Sequence, residues 1–306
     1  MISTMRTKII VNPIAGRGRA EKLLADLYAY LDRYGVSADM VHTRAKGDAI
    51  QLARQAAQEG YERVVAMGGD GTVGEVTAGL LRAREEGYEA VLGILPAGSG
   101  NDYAYAVGIP TRLEAACRRL ADGQVRCIDV VRVTADGKTY YFNNTVGIGL
   151  DADVLLETHK LKRIRGFLLY FTALMRVLAS NGRWPYPVRV TVDGETLPQQ
   201  AVTLVTACNG PRVAGGFYLT PDARPDDGQL DVIVADQLSR LRVASFITRV
   251  MRGTHVGAKP VHIRRARHVV IEGLRGLPGH MDGEVLCTAG RRIEIEILPG
   301  RLKVWC

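Results

Sequence analysis

No run of apolar residues in this chain is long enough to cross a bilayer. The longest, Gly166–Ala179, is interrupted by Arg176, and it falls short of the roughly 20 residues a spanning helix needs. No transmembrane helix is expected. No secretory leader is expected either, because residues 1–6 run straight into Lys8-Ile9-Ile10-Val11, a strand-length stretch rather than a long apolar core. The five cysteines (Cys117, Cys127, Cys208, Cys287, Cys306) are odd in number and form no C-x-x-C pair. That argues against a structural zinc site and for reduced thiols in the cytoplasm. The Walker pattern G-x-x-x-x-G-K-[ST] is absent, as are internal repeats and low-complexity linkers.

What is present is a chain of 306 residues, 47% hydrophobic, long enough for one large or two ordinary globular domains. Its formal net charge of +8 favours an anionic partner: a nucleotide, an anionic membrane surface or a nucleic acid. The cations are scattered but thicken at 160–165 and 264–268.

The most informative stretch is Gly68-Gly69-Asp70-Gly71-Thr72-Val73-Gly74-Glu75, glycines around one carboxylate after an apolar run and before a helical pattern. Glycine lets backbone N–H groups approach a phosphate, and the helix that follows adds the positive end of its dipole. A bare carboxylate there would repel phosphate unless a divalent cation stood between them. The loop therefore reads as a site for a nucleotide with Mg²⁺. The same residues satisfy G-x-G-x-x-G, a weak signal alone, and a ligand-free strand-to-helix turn is the plainer alternative.

The first part of the chain alternates strand and helix. Ile9 to Asn12 is a strand, 21–34 a helix through Leu23, Leu24, Leu27 and Leu31, 36–41 a strand, Asp48–Gln58 a helix, and 63–67 and 90–95 strands. Such alternation predicts a parallel sheet covered by helices, with ligands beyond the carboxyl ends of its strands. The polar and glycine-rich loops fall at those ends: Asn12-Pro13-Ile14-Ala15-Gly16-Arg17-Gly18, the segment near Thr43, the Asp70 loop, and Pro96-Ala97-Gly98-Ser99-Gly100-Asn101-Asp102. From about Val130 short apolar or alternating segments (188–192, 201–207, 230–234, 269–271, and Ile293, Ile295 and Ile297) stand between Asp-Gly and Asn-Gly signals, which predicts an antiparallel sandwich or barrel.

Taken together, these motifs closely resemble the diacylglycerol kinase catalytic superfamily, in particular its bacterial soluble lipid kinases. The resemblance rests on Asn12-Pro13-x-x-Gly16, Thr43 with Gly47-Asp48-Ala49, Gly68-Gly69-Asp70-Gly71-Thr72 with Glu75, and Leu95-Pro96-x-Gly98-Ser99-Gly100-Asn101-Asp102. Asp129, the 221–231 block and Asp282-Gly283-Glu284 complete it. It implies an α/β chain: an N-terminal parallel-sheet nucleotide-binding domain, similar to phosphofructokinases and NAD kinases, at 1–130, and a C-terminal antiparallel β-sandwich that receives the lipid at 131–290. The strand at 291–306 is free to return to either domain. By matching positions, ATP would contact Asn12, Pro13, Ile14, Ala15, Gly16, Thr43, Gly69, Asp70, Gly71, Thr72, Val73, Gly74, Glu75 and Ser99. Asp70 would meet Mg²⁺ directly or through water, and a separate structural Mg²⁺ would take the Asp227 carboxylate with the carbonyls of Arg224 and Gln229.

An identical Asp-Gly-Glu occurs at 193–195, and residue chemistry leaves the two copies equivalent, each a hairpin by default. The resemblance selects the second, with Glu284 as proton acceptor for the lipid hydroxyl and Asp282 orienting the water and Mg²⁺ network. Residues 160–183 place Lys160, Lys162, Arg163 and Arg165 before an apolar helix, a candidate membrane contact set against ordinary core packing. The expectation is an ATP- and Mg²⁺-dependent kinase of diacylglycerol or a related lipid, peripheral to anionic membrane and with no nucleic-acid partner. An NAD or other small-molecule kinase, and a nucleotide-regulated lipid-binding protein without turnover, are the alternatives.

Overall fold

The computed structural model describes residues 5–161, 164, 166–180, 184–198 and 201–306. It divides into two units, Met1–Val130 with Pro299–Cys306, and Val131–Leu298.

The first unit opens with β1 (Thr7–Val11), α1 (Ala15–Lys22), α2 (Leu24–Arg33), β2 (Ala38–His42) and α3 (Asp48–Gln58). It continues through β3 (Arg63–Gly68), α4 (Asp70–Glu85), β4 (Val91–Pro96), α5 (Asp102–Ala106) and α6 (Leu113–Asp122). Strand β1 pairs in parallel with β2 and β3, and β3 in parallel with β4. Every residue of β3 and β4 is buried, the pattern of strands covered on both faces. The chain's end returns here, with Val304 pairing in parallel with Leu92 of β4. The helix expected over 21–34 is interrupted by a turn at Leu23 and runs as α2 from Leu24, and three successive left-handed residues, Gly16, Arg17 and Gly18, kink the segment before it.

An arginine lies in this core. Arg63 is only 1% exposed, donates through Nε to Thr7 Oγ1 at 3.1 Å and through Nη1 to the Leu120 carbonyl, and stacks over the Trp305 ring. Burial lowers its pKa to about 10, which leaves it charged at neutral pH.

β5 (Val125–Ala135) carries the chain into the second unit, followed by β6 (Lys138–Phe142), β7 (Thr145–Gly149), α7 (Leu150–Thr158), α8 (Gly166–Ala179) and β8 (Tyr186–Val192). Then come β9 (Glu195–Thr196), β10 (Ala201–Cys208), β11 (Leu230–Asp236), α9 (Arg240–Met251), β12 (Val261–Ala266), β13 (His268–Met281) and β14 (Glu284–Trp305). The ladders β13–β7, β7–β10, β10–β8 and β8–β13 are all antiparallel and close a circuit, with β11 and β12 added beyond β10. Alternate residues point inward, as the burial along β8 records. They meet in a core that includes Phe142, Val190, Val205, Val232, Ile271 and Ile295.

Three Asp-Gly pairs, at 136–137, 193–194 and 282–283, make the hairpins, each with the aspartate and the glycine at positive φ as a type I′ turn requires. Asn209-Gly210 and Asp227-Gly228 instead lie in irregular loops. Helices α7 and α9 occupy stretches that the alternating pattern did not mark as helical.

Candidate functional site

In the first unit the expected loops meet at the carboxyl ends of the strands. The Asn12 backbone N–H donates to the Met67 carbonyl at 3.0 Å and its side chain to Thr72 Oγ1 at 3.0 Å, which ties the loop after β1 to the start of α4. Ala97 N–H and Gly98 N–H both donate to the Gly68 carbonyl, at 2.8 and 3.1 Å. The two glycine loops cross so closely that a Cβ on Gly98 would lie 2.3 Å from the Cα of Gly69. Glycine is required at that crossing by contact alone. A Cβ on Gly16 would lie 2.2 Å from the Ala97 carbonyl oxygen, so the loop after β1 is seated on the same crossing.

The αL residue Asn101 stabilises the loop after β4 by exchanging two 3.0 Å bonds with the backbone of Gly98. Thr43 N–H donates to the Val11 carbonyl at 2.9 Å, and Glu75 Oε1 accepts Gly47 N–H at 2.9 Å, so the segment after β2 is fastened to both neighbours. Ser99, Ile14 and Gly71 are exposed beside them, whereas Thr72 and Val73 are buried.

Asp70 stands first in α4, where its Oδ1 accepts Tyr103 N–H at 3.0 Å. Burial pushes its carboxyl pKa up, more than the Tyr103 N–H offsets, and the nearby Asp102 carboxylate pushes the same way. A carboxylate held ionised only at a cost is suited to a cation, which would repay the lost hydration. With Gly69 and Gly71 on either side and the N-terminus of α4 beginning at it, this carboxylate would fit Mg²⁺ bound to a phosphate.

The two Asp-Gly-Glu copies in the second unit are built alike at their aspartates and differently at their glutamates. Asp282 accepts Asn143 N–H at 2.9 Å, Asn144 N–H at 3.2 Å and Thr145 N–H at 2.7 Å. Asp193 likewise accepts the backbone N–H groups of Arg267 and His268, at 3.0 and 2.8 Å. Glu195 is exposed and pairs with Arg264 at 3.1 Å. Glu284 is half-buried.

Asp227 accepts Gln229 N–H at 3.1 Å through Oδ1 and pairs with Arg265 through Oδ2. Asp231 beside it is buried with Oδ2 lacking a hydrogen-bond partner, and its pKa is raised by burial and by Asp227 and Asp222, against Arg265. A cation held here by Asp227 would have to take its Oδ2 from Arg265. Among the described residues no group of three or more His, Cys, Asp or Glu side chains is set to hold a metal, so such a site would lean on backbone carbonyls.

A further group was not among the expected residues. His280 Nε2 lies 3.5 Å from Asp151 Oδ2, which also accepts Thr206 Oγ1–H at 2.7 Å, and His280 Nδ1 is buried without a hydrogen-bond partner. The cluster exists because Gly147 pairs with His280 across the β7–β13 ladder: a Cβ there would lie 2.0 Å from Asp151 Oδ2 and 2.4 Å from His280 Nε2. The only sequence hint was His280 standing two residues before Asp282.

Of the expected basic flank, Lys160 is paired with Glu157 at 2.7 Å, and Lys162, Arg163 and Arg165 lie outside the described residues, as do 181–183. Helix α8 buries Ala173, Val177 and Leu178 and exposes Leu168 and Phe171. No helix among the described residues is long and apolar enough to cross a membrane.

Residues 6–133 match the family described as the diacylglycerol kinase catalytic domain, and residues 144–306 match the YegS C-terminal NAD kinase beta sandwich-like domain. A diacylglycerol kinase of Mycobacterium tuberculosis is 30% identical over 297 residues, covering 96% of this chain and 93% of that protein. A probable YegS-like lipid kinase of Citrobacter koseri is 34% identical over 295 residues, covering 94% and 92%. Among solved structures, a putative diacylglycerol kinase from Bacillus anthracis is similar with a TM-score of 0.80 at 26% identity, covering 98% of this chain and 97% of that one.

Proposed function

Because the chain belongs to the diacylglycerol kinase family of lipid kinases, we propose that it transfers the γ-phosphate of ATP, with Mg²⁺, to the hydroxyl of diacylglycerol or a related lipid. The observation that carries the donor half of this reading is the crossing of Gly69 and Gly98 beside the start of α4, with the desolvated Asp70 as its first residue. Phosphoryl transfer asks mainly for positioning and charge neutralisation. The loops from Asn12 to Gly16, Gly69 to Glu75 and Ser99 present backbone N–H groups to the nucleotide, and Thr43 flanks them. Mg²⁺, when bound, neutralises charge on the phosphates. Asp70 is its protein partner, directly or through water.

On the acceptor side, Glu284 takes the hydroxyl proton. Asp282 orients the water and cation network from a turn fixed by three backbone N–H donors. Asp227, with the carbonyls of Arg224 and Gln229, holds a structural cation, and Arg265 yields the carboxylate to it. The lipid is presented at an anionic membrane surface, to which the enzyme binds peripherally.

The test is incubation with γ-labelled ATP, Mg²⁺ and a panel of diacylglycerol, monoacylglycerol, phosphatidylglycerol, a sphingoid base and NAD. Label on a lipid is the expected result. Label on NAD alone would assign the glycine loops to an NAD kinase, and nucleotide binding without transfer would make the chain a binding protein.

A further inference from the structure

Between Asp236 and Glu272 the sequence holds eight Lys and Arg residues and no carboxylate, a charge equal to the formal +8 of the whole chain. Two of the eight are neutralised locally, Arg264 by Glu195 and Arg265 by Asp227. Arg240, Arg242, Arg249, Arg252 and Lys259, on α9 and the turn after it, make no ion pair among the described residues; Arg240 donates to the Ser180 carbonyl at 2.9 Å, and Arg249 lies 5.5 Å from the Phe246 ring.

Helix α9 is held firmly from one side. Ser239 caps it, accepting Arg242 N–H at 3.4 Å, and Val243 and Ala244 pack into a core formed with Val177, Leu178 and Leu238. At 100° per residue the opposite side gathers Leu241, Arg242, Ser245, Thr248, Arg249 and Arg252, all exposed. Leu241 is 85% exposed among these arginines, and Met251 and Val256 follow at 40% and 42%. A lone exposed leucine is ordinary. A leucine raised from an acid-free cationic helix face, with further apolar side chains at the helix end, is the composition of an element that lies at a bilayer interface.

We propose that the outer face of α9, with the turn to Lys259, is the surface by which this protein docks on bilayers containing anionic phospholipid. The proposal rests on the lipid-kinase reading, since an acceptor with acyl chains resides in such a surface. Charge complementarity selects the anionic bilayer, and the interleaved apolar side chains favour it over a nucleic acid, whose phosphate backbone offers them nothing to enter. Arginine stems lie along the interface while their guanidinium groups meet lipid phosphates.

The test uses the full chain, sucrose-loaded vesicles of phosphatidylcholine with and without phosphatidylglycerol, and the triple variant R242E/R249E/R252E beside Leu241→Ser. A parallel assay presents diacylglycerol in neutral detergent micelles. The triple variant should keep its melting temperature and its micellar turnover, yet lose phosphatidylglycerol-vesicle binding by about a hundredfold or more. Leu241→Ser should weaken the salt-resistant part of the binding. Should the reversed charges unfold the chain, R242Q/R249Q/R252Q in the same sedimentation assay decides.

Unchanged vesicle binding by the triple variant, or wild-type binding indifferent to phosphatidylglycerol, would overturn the docking surface. So would loss of duplex-DNA binding in the variant with vesicle binding intact, which would make the face a nucleic-acid surface. If wild type transfers no phosphate to micellar diacylglycerol but its vesicle binding still depends on α9, the docking surface stands and the acceptor reading fails.

Discussion

Asp70 carries two opposed demands, and they can be separated by one atom's change. Its folded pKa is raised by burial, so as pH climbs through that value the ionised carboxylate costs stability that the neutral form does not. Asp70→Asn should therefore melt at or above the wild-type temperature at neutral pH without Mg²⁺ and nucleotide, and its advantage should shrink as the pH is lowered through the folded pKa. The same variant should lose nearly all lipid phosphorylation, because an amide keeps the shape without the charge. Calorimetry across pH with a turnover assay checks both halves; a folded Asp70→Asn with near-normal turnover would remove Asp70 from the chemistry. The two Asp-Gly-Glu copies offer a second comparison. Glu284→Gln should lower kcat strongly with nucleotide affinity almost unchanged, whereas Glu195→Gln should cost only its exposed pairing with Arg264, within about 0.5 kcal/mol. Sensitivity at Glu195 instead would put the proton acceptor in the wrong hairpin.

At the scale of elements, what the sequence disclosed depended on how local the cause was. Helix α3 was legible from end to end as Asp48–Gln58, because Ala49, Ala53, Ala56 and Ala57 keep helical spacing and the Asp48 carboxylate accepts the Arg44 and Ala45 N–H groups ahead of it. The three Asp-Gly hairpins were equally local. Helix α9 was not, since its buried contacts come from α8 and β11, and its arginines obscure the apolar stripe. The glycine loops could be read as a phosphate site, but the Gly69–Gly98 crossing depends on parallel register between β3 and β4. The His280–Asp151–Thr206 cluster was hidden for the same reason, because two ladder partners far apart in the chain, Thr206 and His280, converge on Gly147, with Asp151 in the first turn of α7 beyond it. Gly147→Ala should push Asp151 and His280 apart and shift the β7–β13 register beside the Asp282 turn. We expect a loss of about 1–3 kcal/mol in denaturant unfolding and a fall in kcat larger than the change in nucleotide KM. A fully stable and active Gly147→Ala would mean that the ladder absorbs the methyl group, and the cluster would then have no part in holding the turn.

For the molecule as a whole, the chain leaves the first unit after Val130 and returns to it at Pro299, so that unit is completed by the last eight residues. Those residues are integral to its core. Leu302, Val304 and Cys306 are buried, Val304 extends the parallel sheet beside Leu92, and Gln124 and Cys306 exchange backbone bonds of 2.9 and 3.0 Å. Trp305 Nε1 donates to the Arg119 carbonyl at 2.9 Å, and its ring covers the Arg63 guanidinium. Deleting Pro299–Cys306 would therefore strip the cover from a buried charge and leave a β4 edge without a partner. We expect Mg²⁺ and ATP to raise the melting temperature of the intact protein but not of the truncated chain, which also loses cooperative melting of the first unit while the second unit keeps a transition of its own. A milder probe, Trp305→Leu, keeps the backbone pairing and should cost about 1–3 kcal/mol through the lost indole N–H bond and the uncovered arginine. Thermal melts with and without Mg²⁺ and ATP, beside limited proteolysis read by mass, would check both variants. An unaltered nucleotide-induced stabilisation in the truncated chain would show that residues 7–130 make the nucleotide fold unaided.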